Sequence, residues 1–593
     1  MKKDEGKRRR SRQPKKRSAF LLPVAITAAA ALAFGAFVVY MEIPNFTRIG
    51  FHEYFELDPG ETVIVVGDRR ITGAGAFTEG LDEYFPAGFV KEYLDEYIYW
   101  DQKNLILTLT DSNRIIRYKA GEQTYSINHT QNSGVLSTPV IARDGEAFIP
   151  GNLLSDLYGL TIAHEDEFNI TVVDKNEDDK SICSVKAKKT YMRYKPDRKA
   201  YIGSQLYKGD GLSAFGEDGE YTRVRAANGL LGYVLTKDLT AAETVPGDVP
   251  AQEGAAREER VAKKTVAGKI NMIWDQITVF EANSDPFRLE AREGLDVVSP
   301  TWFYFDTDKM DGDIISLADA SYVNRAHENG CQVWALIDDF SRDPKKTNSS
   351  ISRNILSDTV FRERSINRLL GYVAEYGLDG INIDFEYVQK EDVTHYLQFL
   401  RELSVFMGRM GKVLSVDVYN PVPPAYWSSY YNRGEISKYA DYVCVMAYDE
   451  HISGGPVGPV ASVGFVETGV EMTLLEVPKE KVLLGLPYYV RVWRISAGEE
   501  TASVRNYGMR AAYEMFSDNG AAFVWDETVG SYYGEYRAEE DGETAVYKTW
   551  LESERSIEKK LEILVKHDLA GAAGWKRGLE TEGIWDILIK YLK

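Results

Sequence analysis

The stretch of sequence that decides the fold is LDGINIDFEY, residues 378–387. Successive side chains of a β-strand point to opposite sides, so Asn382, Asp384 and Glu386 share one face and the apolar residues between them share the other. Buried polar groups cost free energy unless they are hydrogen-bonded, and fold stability alone does not require them. We therefore expect a buried strand whose polar face serves chemistry; a purely structural polar cluster is the alternative.

Apolar runs of strand length recur on both sides of this stretch, with helical patterns between them. They cover residues 269–274, 297–305, 333–337, 380–385, 413–418, 442–447, 481–486 and 570–575. Eight buried strands alternating with helices predict an α/β fold, a (β/α)8 TIM barrel, over residues 265–593, with chemistry at the carboxyl ends of the strands. The longest gap, residues 494–566, holds tyrosine-rich alternating stretches and predicts an α+β insertion between the seventh and eighth strands.

Motifs along this region resemble glycoside hydrolase family 18. They are DGINIDFE (379–386), similar to the family's DGxDxDxE signature, MAYDEH (446–451), GLPYYVRVW (485–493) and GAAGWKRGLE (571–580). SPTWF (299–303) and GGPVGPVAS (454–462) further resemble the branch with spore cortex-lytic N-acetylglucosaminidases and YaaH-like spore proteins. The resemblance implies a glycosidase that needs no cofactor.

The resemblance also implies a mechanism. In this family the substrate's own 2-acetamido oxygen attacks the anomeric carbon, so only one carboxylic acid has to protonate the leaving oxygen. Glu386 is the implied acid, with a pKa raised by burial and by its neighbour Asp384. Asp384 would hydrogen-bond the acetamido N–H and stabilise the oxazolinium-like intermediate, and Tyr448 would donate to the acetamido oxygen.

The same motifs imply the residues that bind the sugar. Trp575 would form a flat apolar floor and Met446 would line the pocket. The remaining substrate-binding candidates are Asn382, Asp449, Tyr489 and Trp493. Asn382 stands where many chitinases carry Asp, which predicts altered pKa coupling with Asp384 rather than inactivity. Val490 stands where the motif has Gly, which predicts a narrower cleft beside Tyr489 and Trp493.

A short basic head precedes a long acidic body. Residues 1–18 hold ten Lys and Arg against two acidic residues, a charge of +8, whereas the whole chain carries -20. Residues 19–41 are uncharged and long enough to cross about 30 Å of hydrocarbon as a helix, and the basic head places the N-terminus in the cytoplasm. We expect a single-pass membrane anchor with residues 42–593 extracytoplasmic, on the cell-wall side. A cleaved signal peptide and a buried core helix are the alternatives.

Two small domains and a linker are expected between this anchor and the barrel. Residues 51–185 mix short strands and helices, and 89–174 resemble the stalk-like domain at the N-terminus of copper amine oxidases, which implies spacing and not copper chemistry. Residues 186–241 predict a small β-barrel whose end, GLLGYVLTKDL (229–239), resembles bacterial SH3-like domains; this implies wall binding or a spacer. Residues 242–264 have no apolar period and predict a linker.

The composition excludes several classes of protein. A net charge of -20 argues against a nucleic-acid binder, and 44% hydrophobic residues are too many for a disordered chain. Three cysteines make no disulfide framework, and seven histidines include no HExxH pair, so no metal site is predicted. The oligomeric state stays open.

The leading functional hypothesis is a membrane-anchored glycosidase that cleaves β-1,4 bonds after N-acetylglucosamine in peptidoglycan. It joins the intact acid pair, the predicted anchor and the wall-binding resemblance. A chitinase acting on chitin oligosaccharides and a non-catalytic protein that binds wall glycan are the alternatives. Retention of Glu386 argues against the non-catalytic alternative, because inactive relatives commonly lose that acid.

Overall fold

The computed structural model describes residues 21–58, 60–80, 82–247, 266, 268–343, 345, 348, 351–422, 430–496, 502–540 and 543–593. Within the helix Leu21–Glu42 it describes the side chains of residues 26–36. The chain divides into two compact units, one assigned to residues 1–86 and 150–253 and the other to residues 87–149 and 254–593. The predicted head at 1–18 and most of the predicted linker at 242–264 lie outside the described residues.

The second unit contains the predicted barrel. We number its parallel strands 1 to 8: Ile270–Asp275, Val297–Phe305, Gln332–Asp338, Gly380–Asp384, Val413–Tyr419, Tyr442–Met446, Val482–Pro487 and Gly571–Trp575. Each strand pairs with its neighbours in sequence, and barrel strand 1 pairs with both strand 2 and strand 8, which closes the barrel. The predicted (β/α)8 fold and its eight strands are confirmed.

The barrel is filled from inside by large side chains. Trp274, Trp334, Tyr442 and Leu483 belong to one buried interior cluster, in which the rings of Trp334 and Tyr442 stack with centroids 5.5 Å apart. Gly380 makes room for this packing, because a Cβ there would lie 2.8 Å from the carbonyl oxygen of Val413 and 2.9 Å from the Trp334 ring. The other strand face packs against the surrounding helices in the largest apolar cluster of the described chain.

Helices alternate with these strands, as a parallel barrel requires. Those from the barrel region are Pro286–Leu289, Ala320–Glu328, Ile351–Leu356, Thr359–Tyr376, Val393–Arg409, Arg433–Tyr439, Val463–Thr473, Glu554–Lys566 and Gly583–Leu592, with 3-10 turns at Phe280–Ser284, Lys390–Asp392 and Lys479–Lys481. A short strand, Ile314–Ser316, pairs antiparallel with the end of barrel strand 2.

An α+β insertion separates barrel strands 7 and 8, as the sequence predicts, although it begins and ends earlier than residues 494–566. It contains the strands Tyr489–Ser496, Ser503–Gly508, Phe523–Asp526, Ser531–Glu540 and Glu543–Leu551 and the helix Met509–Asp518. The strands form one antiparallel sheet in which Tyr489–Ser496 lies between Ser503–Gly508 and Glu543–Leu551. The first residues of this sheet therefore follow directly from the carboxyl end of barrel strand 7.

Residues 87–149 belong to the same unit as the barrel. They form the helix Ala87–Tyr93, a five-stranded antiparallel sheet and a hairpin of Ile141–Arg143 with Glu146–Pro150. The sheet strands are Tyr99–Asp101, Ile106–Thr110, Ile115–Lys119, Thr124–Ile127 and Thr130–Val135.

A buried ion-pair network joins this sheet to two barrel helices. Glu402, on the helix Val393–Arg409, accepts a hydrogen bond of 2.8 Å from Arg117 Nη2 of the sheet and one of 3.1 Å from Arg362 Nε of the helix Thr359–Tyr376. The side chains of Arg362 and Glu402 are fully buried. Against the opposing effect of burial, Arg362 and Arg117 lower the pKa of Glu402 to about 2.

The first unit holds the rest of the described N-terminal residues. Its helices are Leu21–Glu42, Phe51–Phe55 and Gly151–Tyr158, with a 3-10 turn at Thr236–Asp238. Val63–Val66, Arg69–Ile71, Leu160–Glu165 and Ile170–Lys175 form a four-stranded sheet, and Phe77–Glu79 pairs with Asp82–Pro86. A seven-stranded sheet contains Lys180–Ser184, Lys189–Arg193, Ile202–Tyr207, Gly211–Asp218, Tyr221–Ala226, Leu231–Leu235 and Glu243–Val245. The SH3-like character and boundaries predicted for these small domains stay predictions.

The predicted membrane anchor is corrected. In the described part of the chain, no helix combines the length and the apolar character needed to cross a membrane. This contradicts the single-pass membrane location and the membrane contact predicted for residues 19–41.

Glu402→Gln tests the ion-pair network. The variant should lose about 3–5 kcal/mol of unfolding free energy, because Arg362 would keep a buried charge without its carboxylate partner and Arg117 would retain only Glu363, at 3.4 Å. Urea unfolding followed by tryptophan fluorescence measures the change. The pKa of Glu402 in the folded chain lies below its usual value, so the Glu402 carboxylate contributes its full stabilisation at pH values above the ordinary Glu range. This stabilisation is lost as the pH falls through about 2. The difference in unfolding free energy between the variant and the original chain should therefore shrink there.

Glu562→Gln is the matched control, since it removes an exposed partner of Lys559 on another barrel helix. It should change the unfolding free energy by less than about 0.5 kcal/mol. Equal, small effects of both substitutions would contradict a stabilising role for the network.

Candidate active site

A cleft of about 430 Å³ opens at the carboxyl ends of the barrel strands. Strands 1, 4, 5, 6 and 8 and the insertion all contribute to it, which is where a barrel of this class carries its chemistry. The lining residues are Trp274, Gln276, Asp384, Glu386, Asp417, Tyr419, Met446, Tyr448, Asp449, Tyr489, Arg491, Asn506, Tyr507, Gly508, Trp575, Lys576 and Leu579.

Asp384 and Glu386 meet in this cleft at the end of barrel strand 4. Asp384 is 7% exposed, and its Oδ1 atom has no hydrogen-bond partner among the described residues. Burial, reinforced by the charges of Glu386 and Asp417, raises the pKa of Asp384 well above its usual range. Burial also raises the pKa of Glu386 to about 7. We therefore infer that the pair retains a proton at a pH where exposed carboxyl groups are ionised.

The side chain of Tyr419 contacts Glu386 directly. Its phenol, at the end of barrel strand 5, donates a hydrogen bond to Glu386 Oε2. A hydrogen bond to a carboxylate stabilises its charged form, so Tyr419 lowers the pKa of Glu386 against the upward effect of burial. This contact therefore opposes the effect of burial on Glu386.

Asp339 holds the backbone from which Glu386 projects. Its Oδ1 accepts a hydrogen bond of 2.9 Å from the Glu386 amide, and its Oδ2 accepts one of 3.1 Å from the Tyr387 amide and one of 2.7 Å from Ser352 Oγ. Asp339 is fully buried, and burial raises its pKa to about 7. Sequence reasoning missed this residue, although two adjacent aspartates directly after the apolar run 333–337 were the available signal.

Asn382 lies in a buried hydrogen-bonded layer inside the barrel. Its Nδ2 donates to Asp417 Oδ1 at 2.8 Å and to Ser415 Oγ at 3.1 Å, and its Oδ1 accepts from Trp274 Nε1 at 2.9 Å and from Ser299 Oγ at 3.1 Å. Both amide donors and both acceptor sites are thus used. Asn382 is not among the residues that line the cleft, and it contacts Asp417, whose charge raises the pKa of Asp384.

Barrel strand 6 and the insertion supply the side of the cleft. Met446 and Tyr448 line it, and the rings of Tyr448 and Tyr489 meet edge to face with centroids 6.2 Å apart. Asp449 Oδ1 accepts hydrogen bonds from Tyr489 Oη and, at 2.7 Å, from Arg491 Nη2. Asp449 is therefore already engaged by two protein donors.

Aromatic rings form the opposite wall. Trp575 ends barrel strand 8, and its ring lies edge to face with that of Trp274 at a centroid distance of 6.0 Å. Trp493 is fully buried, donates from Nε1 to the carbonyl of Gly458 at 2.8 Å and does not line the cleft. Val490 packs in a small core of the insertion and does not line the cleft either, so it does not narrow the cleft as its motif position suggests.

The structure thus brings most of the predicted site residues together. Those that line the cleft are Glu386, Asp384, Tyr448, Met446, Asp449, Tyr489 and Trp575, whereas Asn382 and Trp493 do not. Asp417 and Tyr419 are cleft residues that sequence reasoning missed. Together with Ser415 they occupy every second position along barrel strand 5, which is the same period-two polar pattern that identified strand 4.

A group with metal-ligand chemistry lies elsewhere in the described residues. Glu467, Glu471 and His567 bring their ligand atoms within 4.8 Å of one another. Lys566 already forms an ion pair with Glu467. None of these residues lines the cleft, so this group has no place in its chemistry.

Comparison with known proteins identifies the barrel. Residues 346–580, which contain both acids, the Tyr448 strand and Trp575, match the model of glycosyl hydrolases family 18. The chain carries a glycosyl hydrolase family 18 domain. Enzymes of this family are glycosidases, and the predicted family is confirmed. Residues 66–173 match the copper amine oxidase N-terminal domain, which confirms the second predicted resemblance.

Similar proteins include several from Bacillus species. The uncharacterized glycosylase YvbX of Bacillus subtilis is 25% identical over 304 residues, which are 50% of this chain and 85% of that protein. The cortical fragment-lytic enzyme of Bacillus subtilis is 28% identical over 40% of this chain and 55% of its own length. The crystal structure of the Bacillus cereus spore cortex-lytic enzyme SleL aligns with a TM-score of 0.49 and 19% identity over 60% of this chain and 78% of that one.

Tyr419→Phe tests whether the Tyr419 phenol lowers the pKa of Glu386, the expected acid. Loss of the phenol should raise the pKa of Glu386, because the carboxylate loses a donor. If Glu386 is the general acid that the motif implies, it must be protonated to act, so kcat/KM should fall as pH rises through about 7 in the original chain and at higher pH in the variant. Initial rates on a fluorogenic chitobioside across a pH series measure this shift.

Tyr372→Phe provides the control, since this phenol donates to the carbonyl of Ile314, away from the cleft. Its pH profile should coincide with that of the original chain. A downward shift in the Tyr419 variant would contradict the assigned role.

Proposed function

We propose that this chain is a retaining glycosidase that cleaves β-1,4 bonds after N-acetylglucosamine in peptidoglycan by substrate-assisted catalysis. The observation that carries the proposal is Asp384 Oδ1, a cleft atom that is buried and has no hydrogen-bond partner in the described structure. An unsatisfied buried acceptor is costly unless a ligand supplies the donor. The N–H of a 2-acetamido group is such a donor.

Glu386 would act first as an acid and then as a base. Its carboxyl proton passes to the glycosidic oxygen while the acetamido carbonyl oxygen attacks the anomeric carbon, so that the bond to the leaving sugar breaks and an oxazolinium ion forms. Water then attacks the anomeric carbon from the opposite face; the bond to the acetamido oxygen breaks, the acetamido group is restored, and one proton of the water passes to Glu386. A pKa of about 7 suits both steps near neutral pH.

Asp384 would support the same intermediate. Its carboxylate accepts the acetamido N–H, which turns the acetamido oxygen toward the anomeric carbon and offsets the positive charge of the oxazolinium ion. When Glu386 gives the proton of the pair to the glycosidic oxygen, both carboxylates are charged, and the positive oxazolinium ion beside them offsets that charge until water returns a proton to Glu386.

The other carboxylates of the cleft favour this mechanism over a protein nucleophile. Asp417 accepts from Asn382 and, at 3.2 Å, from Trp274, and Asp449 accepts from Tyr489 and Arg491. Carboxylates held by such bonds are poorly placed to attack a sugar. The phenol of Tyr448 is a donor for the acetamido oxygen, and Trp575 offers an apolar face for the sugar ring.

The substrate class is inferred from the relatives. Those named as cortical fragment-lytic enzymes include proteins of Bacillus subtilis and Bacillus anthracis, and residues 346–580, which match the family model, contain the acid pair. Chitin oligosaccharides carry the same N-acetylglucosamine unit, so hydrolysis of chitin is the second candidate, and relatives named as chitinases include one from Drosophila melanogaster.

Digestion of purified peptidoglycan tests the proposal. The original chain should release fragments with N-acetylglucosamine at the new reducing ends, identified by mass spectrometry after borohydride reduction. Glu386→Gln should lower the rate by about 10²–10⁴-fold, because the amide cannot donate the proton. Asp384→Asn should lower the rate without weakening binding to the same degree, since Asn cannot balance the charge of the intermediate.

Glu562→Gln, an exposed carboxylate remote from the cleft, should leave the rate unchanged. N-acetylmuramic acid at the new reducing ends would overturn the predicted bond. Equal rates for the original chain and Glu386→Gln would overturn the catalytic assignment. Sedimentation with peptidoglycan without any cleavage would favour a binding protein.

A further inference from the structure

Acidic side chains outnumber basic ones among the residues that line the cleft. Four carboxyl groups, those of Asp384, Glu386, Asp417 and Asp449, face two cations, Arg491 and Lys576. An acidic cleft suits the stabilisation of an oxazolinium ion, and a neutral glycan such as chitin requires no cation for its recognition. The two cations therefore need separate explanations.

The guanidinium group of Arg491 is already paired with groups of the protein. Its Nη2 lies 2.7 Å from Asp449 Oδ1, and its Nη1 donates to the carbonyl oxygen of His451. These contacts use the guanidinium to fix the loop after barrel strand 6, where Asp449 has a φ of 65°. Arg491 is a structural cation.

Lys576 has no such partner. Among the residues that the structure describes, no carboxylate lies within ion-pair distance of its ammonium group, and its Nζ donates to the neutral Oε1 of Gln276. Lys576 is half-buried, and burial together with the charge of Arg288 lowers its pKa. An ammonium group in this setting gains from an added anion, because the anion replaces lost hydration and opposes the charge of Arg288.

The position of Lys576 limits what that anion can be. Lys576 directly follows Trp575, which is the expected floor for the N-acetylglucosamine ring. Gln276 directly follows the end of barrel strand 1, and barrel strand 1 lies beside barrel strand 8. Lys576 and Gln276 both line the cleft. An anion bound here would be carried by the sugar over Trp575 or by its neighbour along the glycan.

We propose that Lys576, with Gln276 as its hydrogen-bonded support, binds a carboxylate on the N-acetylmuramyl unit next to the bound N-acetylglucosamine and thereby selects peptidoglycan over chitin. This inference rests on the proposed function. The carboxylate has two sources: the lactyl group of a glycan strand stripped of its peptides, and the stem peptide where the lactyl group is amidated. Chitin has neither.

Three substrates and two substitutions test the inference. The substrates are peptidoglycan strands stripped by an amidase, intact peptidoglycan and chito-oligosaccharides. Lys576→Gln removes the charge and keeps a polar side chain, whereas Lys576→Arg keeps the charge. Lys559→Gln is the matched control, since Lys559 is an exposed helix residue outside the cleft.

The readout is the ratio of kcat/KM on peptidoglycan to kcat/KM on chito-oligosaccharide. Lys576→Gln should lower this ratio about tenfold or more, as expected for loss of a charge-assisted hydrogen bond, mainly through KM. Lys576→Arg should restore most of the ratio, and Lys559→Gln should not move it. Loss on stripped strands alone assigns the lactyl carboxylate; loss on intact peptidoglycan alone assigns the stem peptide.

Binding measured in the Glu386→Gln background separates recognition from catalysis. There, Lys576→Gln should weaken the affinity for stripped glycan fragments and reduce the dependence of that affinity on salt. An unchanged ratio, or equal loss on all three substrates, would overturn the inference while leaving the proposed function intact. An original chain that cleaves chito-oligosaccharides and neither form of peptidoglycan would overturn both.

Discussion

The electrostatic coupling of two desolvated carboxyl groups, Asp384 and Glu386, is the constraint on which the rest of the site depends. Both lie at the end of a buried barrel strand, where water cannot stabilise two adjacent negative charges. The pair therefore retains a proton at a pH where isolated carboxylic acids are ionised. A family 18 glycosidase needs this state, because its acid must protonate the leaving oxygen while the neighbouring carboxyl group supports a cationic intermediate.

The surrounding residues make this costly arrangement stable. Asp339 binds the backbone amides of Glu386 and Tyr387, so the acid projects from a fixed position. Asn382 lies in the buried layer inside the barrel, beneath the acid pair. Its side chain is a neutral amide whose donors and acceptors are all hydrogen-bonded, so it adds no further buried charge beside Asp417. Because these contacts come from different strands, the closed barrel itself is what holds the site together. Asn382, where many chitinases carry Asp, thus contacts Asp417 and is not among the residues that line the cleft.

Much of this could be predicted from sequence because it depends on local periodicity. Continuous apolar runs give buried parallel strands, and strand alternation places Asp384 and Glu386 on the same face. Tyr419 and Asp417 follow the same alternation and could have been found.

The Arg117–Glu402 contact joins residues 285 positions apart, so no local pattern indicates that residues 87–149 share a unit with the barrel. Trp493 and Val490 lie in an insertion sheet whose packing, rather than the motif, decides where they point. The apolar composition of residues 19–41 led to a membrane prediction that the described helix does not support.

The central claim is that the Asp384–Glu386 pair holds one proton near neutral pH. Infrared difference titration of the full chain, with the carboxyl bands assigned through Glu386→Gln and Asp384→Asn, measures this directly. The account predicts that one protonated carboxyl group of the pair persists up to about pH 7 and that this band disappears or moves in both variants. If both groups titrate in the ordinary range of carboxylic acids, near pH ~4, the account of the site is contradicted.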